Sequence, residues 1–282
     1  MAETPRTTPG TPVTLVIGGS DPSGCSGIQA DIKTLSVLDV YSCAAITTIN
    51  ASNTQQISSS MALDAKLVAQ QIDTISCDIK INACKVGQVG SVANAKAIAK
   101  AVRGNNLQPL VVDINQHYAG KCSLDDEATI DAICQHLLPL AAVVTVNAAE
   151  AGHLLGQGEA VADQFGATDA ARQICAKYKV NACVVMGIKM PGDTENEFNA
   201  VDVMVFDQEV IELSAQWRET CNTNGAGTTF AAALTGGIAK GLTPVQAGPI
   251  AKNVVSEAVR QNCDLGHGQG PIQHIAYAKV KK

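Results

Sequence analysis

The chain has 282 residues, 46% of them apolar, and a net charge of −6. That is enough for one large α/β domain or two smaller ones, and it excludes a disordered chain. Only 3% of residues are aromatic and no basic run occurs, so a partner held by base stacking or by its phosphate backbone is excluded too.

Residues 1–12 are rich in Thr and Pro without an apolar stretch, and read as a short disordered leader and not a signal peptide. Residues 13–282 carry no linker and no repeat of fixed period, and read as a single domain. Residues 13–17 are an apolar, β-branched run closed by Gly18-Gly19, the pattern of a buried strand. A polar, Gly-rich loop at 20–27 leads into 28–38, where apolar positions recur at helical spacing. Strand, glycine loop and helix in that order put a ligand at the carboxyl end of the strand. No Gly-Lys-Ser/Thr follows, so this is not a Walker loop.

Further strands are expected at 42–49, 83–87, 109–114, 142–146 and 181–186. Helices are expected at 63–75, 91–102, 124–138, 167–178, 229–240 and 243–261, and one beyond 147–150. Polar loops are expected at 50–59 and 191–199, and a hairpin at 201–206 and 209–213 turning at Asp207-Gln208. Strands alternating with helices predict a doubly wound α/β fold: a mostly parallel central sheet flanked by helices, with an antiparallel hairpin near one edge. Ten cysteines are scattered, several within apolar segments (Cys43, Cys84, Cys134, Cys175, Cys183), and no Cys-x-x-Cys pair occurs. They read as reduced core residues of a cytoplasmic protein. No apolar run reaches the roughly 18 residues of a membrane span.

Two stretches carry the chemistry. Residues 221–230 place Gly225-Ala226-Gly227 and then Thr228-Thr229 before an Ala-rich segment. Glycines leave backbone N–H groups accessible, and a helix start adds the positive end of its dipole, so the stretch can bind an anion. A plain glycine turn before a buried helix fits it equally well. Asn147-Ala148-Ala149-Glu150 can be an N-cap with an acidic first turn, or a hard oxygen ligand at a strand end.

Gly19-Ser20-Asp21-Pro22-Ser23-Gly24 with Gly27-Ile28-Gln29-Ala30-Asp31 resembles the opening signature of the hydroxymethylpyrimidine/phosphomethylpyrimidine kinases, in the ribokinase-like superfamily. Asn53-Thr54, Asn147-x-x-Glu150, Asn222-Thr223-x-Gly225-x-Gly227, and Gly266-His267-Gly268 with Gly270-Pro271 and His274 are similar to further strings of that family. The resemblance implies transfer of the ATP γ-phosphoryl group to a hydroxymethylpyrimidine and then to its monophosphate, in thiamine synthesis. It also implies Mg²⁺, a cytoplasmic homodimer and a small heterocyclic alcohol as partner, with no nucleic acid and no membrane. By position, Gly19, Ser26, Asp31, Ser52, Gln88 and Ile114 would surround the pyrimidine. Asn147, Thr223, Asn224 and Lys189 would meet the nucleotide, with His117 and Tyr118 as possible neighbours. Glu150 would hold Mg²⁺, Gly225, Ala226 and Gly227 would form the anion hole, and Thr228 would stand at the base position.

Several positions depart from the family. Cys stands there in place of Thr228, and a threonine hydroxyl has no useful basicity near neutral pH. Ser52 replaces a Gln that reads the pyrimidine edge, and Gln88 a Met that packs on the ring. Ile114-Asn115-Gln116, Met186-Gly187-Ile188-Lys189 and Asn224 replace other site residues. Two readings stay open: a slow kinase or one of altered substrate, such as a pyridoxal-type alcohol, or an inactive relative that binds a small heterocycle or nucleotide.

Overall fold

The computed structural model describes residues 10–114, 117–118, 122–157, 159–192, 194 and 197–280. The leader expected at 1–12 thus lies outside the described residues, save 10–12. In chain order the elements are β1 (Val13–Ser20), α1 (Gly27–Val37), β2 (Tyr41–Ser52), β3 (Ile57–Ala62), α2 (Ala65–Ser76), β4 (Ala83–Val86), α3 (Val92–Gly104) and β5 (Leu110–Asp113). Then follow β6 (His117–Tyr118), β7 (Cys122–Ser123), α4 (Glu127–His136), β8 (Val143–Asn147), α5 (Ala148–Leu154) and α6 (Gln164–Tyr178). The chain closes with β9 (Ala182–Pro191), β10 (Phe198–Phe206), β11 (Glu209–Gln216), α7 (Ala226–Ala239), α8 (Pro244–Arg260) and α9 (Ala276–Val280).

Nine strands form one sheet in the order β11-β10-β9-β8-β5-β4-β1-β2-β3. The run from β9 to β2 is parallel, and β10, β11 and β3 pair antiparallel. Strand side chains alternate between two apolar layers. Leu15 and Ile17 of β1 pack with Val68 of α2, Ile98 of α3, Ile133 of α4 and Ile174 of α6. Val16 points the other way, toward Leu35 of α1, Phe230 and Leu234 of α7 and Val254 of α8. Helix α7 is buried along its length from Thr228 to Ala239. Its small residues make that possible: Gly237 faces Ala247 of α8 so closely that a Cβ would stand 2.7 Å from the alanine methyl.

The predicted doubly wound sheet and its late hairpin are present. Four local expectations are corrected. The segment 50–59, expected as a loop, holds the end of β2 and the start of β3, and helix α2 begins later than 63. β3 has no buried residue, so no apolar alternation marks it in the sequence. Strand β9 runs past Met186 to Pro191 and β10 starts at Phe198, which shortens the expected loop at 191–199. Helix α7 starts at Ala226, inside the glycine motif, and not after it.

Candidate active site

The carboxyl ends of β1, β4, β5 and β8 face the first turn of α7, and two cavities meet there. The smaller lies between Gly18, Gly19, Asp21, Gly27, Asp31, Asn50, Lys85 and Gln88. Its rim is the loop after β1, organised by Asp21. Asp21 Oδ1 accepts from Ser23 N at 3.0 Å and from Ser52 Oγ at 2.8 Å, and Oδ2 accepts from Ser26 N at 2.9 Å. Gln29 holds the same loop, accepting from Asp21 N and donating to Ser20 Oγ. Gly27 (φ +62°) lies against the Gly19 carbonyl, where a Cβ would stand 2.5 Å from the oxygen.

On the wall of this cavity Lys85 is buried between two carboxylates. Its Nζ lies 2.9 Å from Asp31 Oδ1 and 3.4 Å from Asp113 Oδ2, and Asp113 Oδ1 also accepts from Thr145 Oγ1. Burial pushes the Asp31 carboxyl up to about 6, against the pull of the Lys85 ammonium. Burial opposes the Lys85 charge as well, but the two carboxylates outweigh it and hold the ammonium above its ordinary range.

The larger cavity is a cleft of about 460 Å³, lined among others by Asp113, Ile114, Asn147, Glu150, Trp217, Lys252 and the 223–228 stretch. Asn147 and Glu150 form a reciprocal cap on α5: Asn147 Oδ1 accepts from Glu150 N at 2.9 Å, and Glu150 Oε2 accepts from Asn147 N at 2.8 Å. The cap reading of this pair is observed, and the cap sets the Glu150 carboxylate in the cleft wall. Gly225 is the N-cap of α7 with φ +87°, and a Cβ on it would overlap the Cys25 carbonyl oxygen. One expectation changes here. Ala226 N–H bonds back to Thr223 O at 3.1 Å, so it is not an open donor. Among the described residues, Gly225, Gly227 and Thr228 N–H have no such acceptor and are left open at the helix start.

Thr228 is buried and lines both cavities, together with Ser26 and Leu124. Gly19, Ser26, Asp31 and Gln88 come together around the smaller cavity. Ile114, Asn147, Glu150, Thr223, Asn224, Gly225, Ala226 and Gly227 come together around the cleft. Ile114, expected beside the heterocycle, is thus on the cleft side. Two expected residues fall outside. Ser52 lines neither cavity, because its short hydroxyl is taken by Asp21. Lys189 also lines neither: it pairs with Glu219 and lies 4.4 Å and 4.9 Å from the ring centroids of Phe198 and Trp217. The side chains of His117 and Tyr118 lie outside the described residues.

Sequence reasoning missed two lysines. Lys85 stands in an apolar strand run, which was its only signal. Lys252 is a cation on the buried face of α8, between Ala251 and Val254. Its Nζ donates to Asp202 Oδ2 at 2.9 Å, while Asp202 Oδ1 accepts from Gly187 N at 2.9 Å.

The family model described as phosphomethylpyrimidine kinase matches residues 21–273. The chain belongs to the phosphomethylpyrimidine kinase family. A hydroxymethylpyrimidine/phosphomethylpyrimidine kinase of Rhizobium meliloti (strain 1021) is 33% identical over 267 residues, covering 94% of this chain and 97% of that protein. One from Bacillus subtilis (strain 168) is 32% identical over 266 residues, covering 94% and 95%. Among solved structures, the pyridoxal kinase from Staphylococcus aureus in complex with ADP superposes with a TM-score of 0.84 at 30% identity, covering 96% of each chain. As a member of this kinase family the protein is an ATP-using phosphotransferase. The family assignment fits the two-cavity geometry, since a kinase must hold a nucleotide and an acceptor end to end. No helix among the described residues is long and apolar enough to cross a membrane.

Proposed function

We propose that the protein transfers the γ-phosphoryl group of ATP to the hydroxymethyl group of hydroxymethylpyrimidine, and then to the monophosphate so formed. The observation that carries this is the position of Thr228, at the start of α7, where the two cavities meet. The heterocycle takes the smaller cavity and the nucleotide lies along the cleft. The Gly227 and Thr228 N–H groups face the transferred phosphoryl group. Phosphoryl transfer depends mainly on positioning and charge neutralisation, which such donors supply. Thr228 hydrogen-bonds the acceptor hydroxyl without serving as a strong base, so turnover is slow. General-base help is commonly worth about 10²–10⁴ in rate.

Mg²⁺ fits the donor set as a nucleotide-borne ion. Among the described residues no group of three or more metal-ligating side chains converges, while Glu150 offers one buried carboxylate in the cleft wall. Mg²⁺ characteristically uses one or two carboxylates with waters and phosphates, and when bound it neutralises phosphate charge. A cytoplasmic homodimer belongs to the same proposal, on the strength of the family resemblance.

A pyridoxal-type alcohol is the second reading. It is favoured by the TM-scores of 0.82 to 0.84 to pyridoxal kinases, against 0.73 to a phosphomethylpyrimidine kinase of Clostridium difficile 630. The test is ADP release with Mg-ATP and a panel of hydroxymethylpyrimidine, its monophosphate and pyridoxal. Release above the water background with the pyrimidines is expected, and Thr228→Asp should raise kcat about 10²-fold. Background rates with every alcohol, in the native protein and in the variant, would refute phosphoryl transfer to this class.

A further inference from the structure

Gln88 follows β4, and its side chain lies across the smaller cavity. Its Nε2 donates to the Leu124 carbonyl at 3.2 Å. Its Oε1 accepts from Asn50 Nδ2 at 2.9 Å, and Asn50 Oδ1 accepts from Ser60 Oγ at 2.7 Å. The Leu124 carbonyl can only accept, so the polarity of the whole chain is fixed from that end. The chain joins the β2–β3 wall to the segment before α4. The Gln88 carboxamide lies directly over Gly19: a Cβ there would stand 2.9 Å from the amide carbon. What remains of the cavity is about 20 Å³, room for about one water and not for a substituted ring.

The backbone around Gln88 is anchored without that side chain. Thr47 Oγ1 donates to the Gln88 carbonyl at 2.6 Å. Asp125 accepts from Val89 N at 2.9 Å and from Gly90 N at 2.6 Å. The carboxamide can therefore rotate away while the main chain stays in place.

On the reading of this cavity as the acceptor site, we propose that Gln88 is a displaceable plug that sets acceptor affinity and selectivity. The carboxamide occupies the place of the heterocycle and swings out, breaking its links to Asn50 and Leu124, before the acceptor enters. Apparent acceptor affinity is lowered by the fraction of molecules in which the plug is closed. Selectivity follows from what is uncovered: an amide donor on Asn50 and a carbonyl acceptor on Leu124. A ring that carries an acceptor nitrogen beside an amino donor replaces both broken hydrogen bonds. A ring without that pair leaves buried polar groups unmatched and is disfavoured.

Calorimetric titration of the native protein, Gln88→Ala and Gln88→Met with hydroxymethylpyrimidine tests this, with Mg-ATP titration as the check of folding. Gln88→Ala should bind hydroxymethylpyrimidine about tenfold more tightly, and Gln88→Met, which keeps the length but loses both links, should also bind more tightly. Gln88→Met keeps the test readable if the alanine variant fails to fold. Binding unchanged, weakened or absent in variants that still bind Mg-ATP overturns the plug. ADP release by the same proteins separates the two ideas. Turnover without tighter binding sinks the plug and keeps the kinase reading, whereas tighter binding without turnover does the reverse.

Discussion

Lys85 occupies the middle of a four-residue strand whose other members are apolar, and its ammonium is sealed from water. Burying one ion alone has an effective cost of several kcal/mol, so the sequence position makes sense only once Asp31 and Asp113 are found beside it. Those partners are 54 and 28 positions away in the chain, which is why pattern reading within a window could not find the cluster. Asp31 was singled out as a candidate through its motif, but its ion pair was not legible. His274 shows the same gap. Its motif singled it out, yet only the fold shows that burial, followed by the charge of Lys33, pushes the imidazole down to about 4. The unfolded chain binds a proton on this residue below about 6.5 and the folded chain does not, so the stability His274 contributes falls as pH drops from about 6.5 toward 4. Burial raises Asp31 and Asp125 to about 6, and these act in the opposite sense: the stability they contribute is complete below about 4 and is lost as pH rises through 6. Comparing the native protein with His274→Gln cancels the two acids. Between pH 7 and pH 5 the native protein should lose stability relative to the variant, at up to about 1.4 kcal/mol per pH unit, read as a falling Tm. Parallel Tm profiles would show that His274 stays unlinked to folding.

The start of α7 is the element on which the site turns. The glycine motif was legible as a possible anion site, but the exact donors were not, because helix α7 is buried on nearly every side and has no apolar stripe to mark its first turn. The structure begins the helix three residues earlier than the sequence pattern, takes Ala226 out of the expected donor set of Gly225, Ala226 and Gly227 by bonding its N–H to Thr223 O, and adds Thr228 N–H as an open donor. The two glycines then have different duties. Gly225 has a positive φ and abuts the Cys25 carbonyl, whereas a Cβ on Gly227 would meet only Met186 Cε, at 3.6 Å. Gly225→Ala should therefore lower stability by about 1–3 kcal/mol, pull α7 away from the loop after β1 and raise the KM for ATP. Gly227→Ala should leave stability within about 0.5–1 kcal/mol of the native protein. Equal losses in the two variants, followed by thermal unfolding and ATP kinetics, would count against this division. The strand β3 makes the complementary point about legibility. An edge strand with both faces exposed carries no periodic signal, so a serine-rich run reads as a loop until its partner β2 is seen beside it.

Across the whole molecule, the alternation of strand and helix was legible because parallel strands buried on both faces must be apolar runs. The strand order was not, since it places β1 between β2 and β4 through contacts far apart in sequence. That order separates the two halves of the site. The smaller cavity belongs to the β1, β2 and β4 side of the sheet, and the cleft reaches across to β10 and β11. The chain's one tryptophan, Trp217, stands just beyond β11 in the cleft lining, and its Nε1 donates to Glu219 Oε1 at 2.9 Å. Its indole reports on one half of the site alone, and no other tryptophan dilutes the signal. A nucleotide lying along the cleft changes the polarity around that ring and competes for the charges of Lys189 and Glu219 beside it. Titration with Mg-ATP should therefore shift or quench the emission with the same midpoint as calorimetric binding, while hydroxymethylpyrimidine alone should leave it unchanged. If the pyrimidine moved the emission and Mg-ATP did not, the assignment of the two cavities would have to be exchanged. If neither ligand moved it although calorimetry showed Mg-ATP bound, the nucleotide would have to lie elsewhere than along the β10–β11 wall.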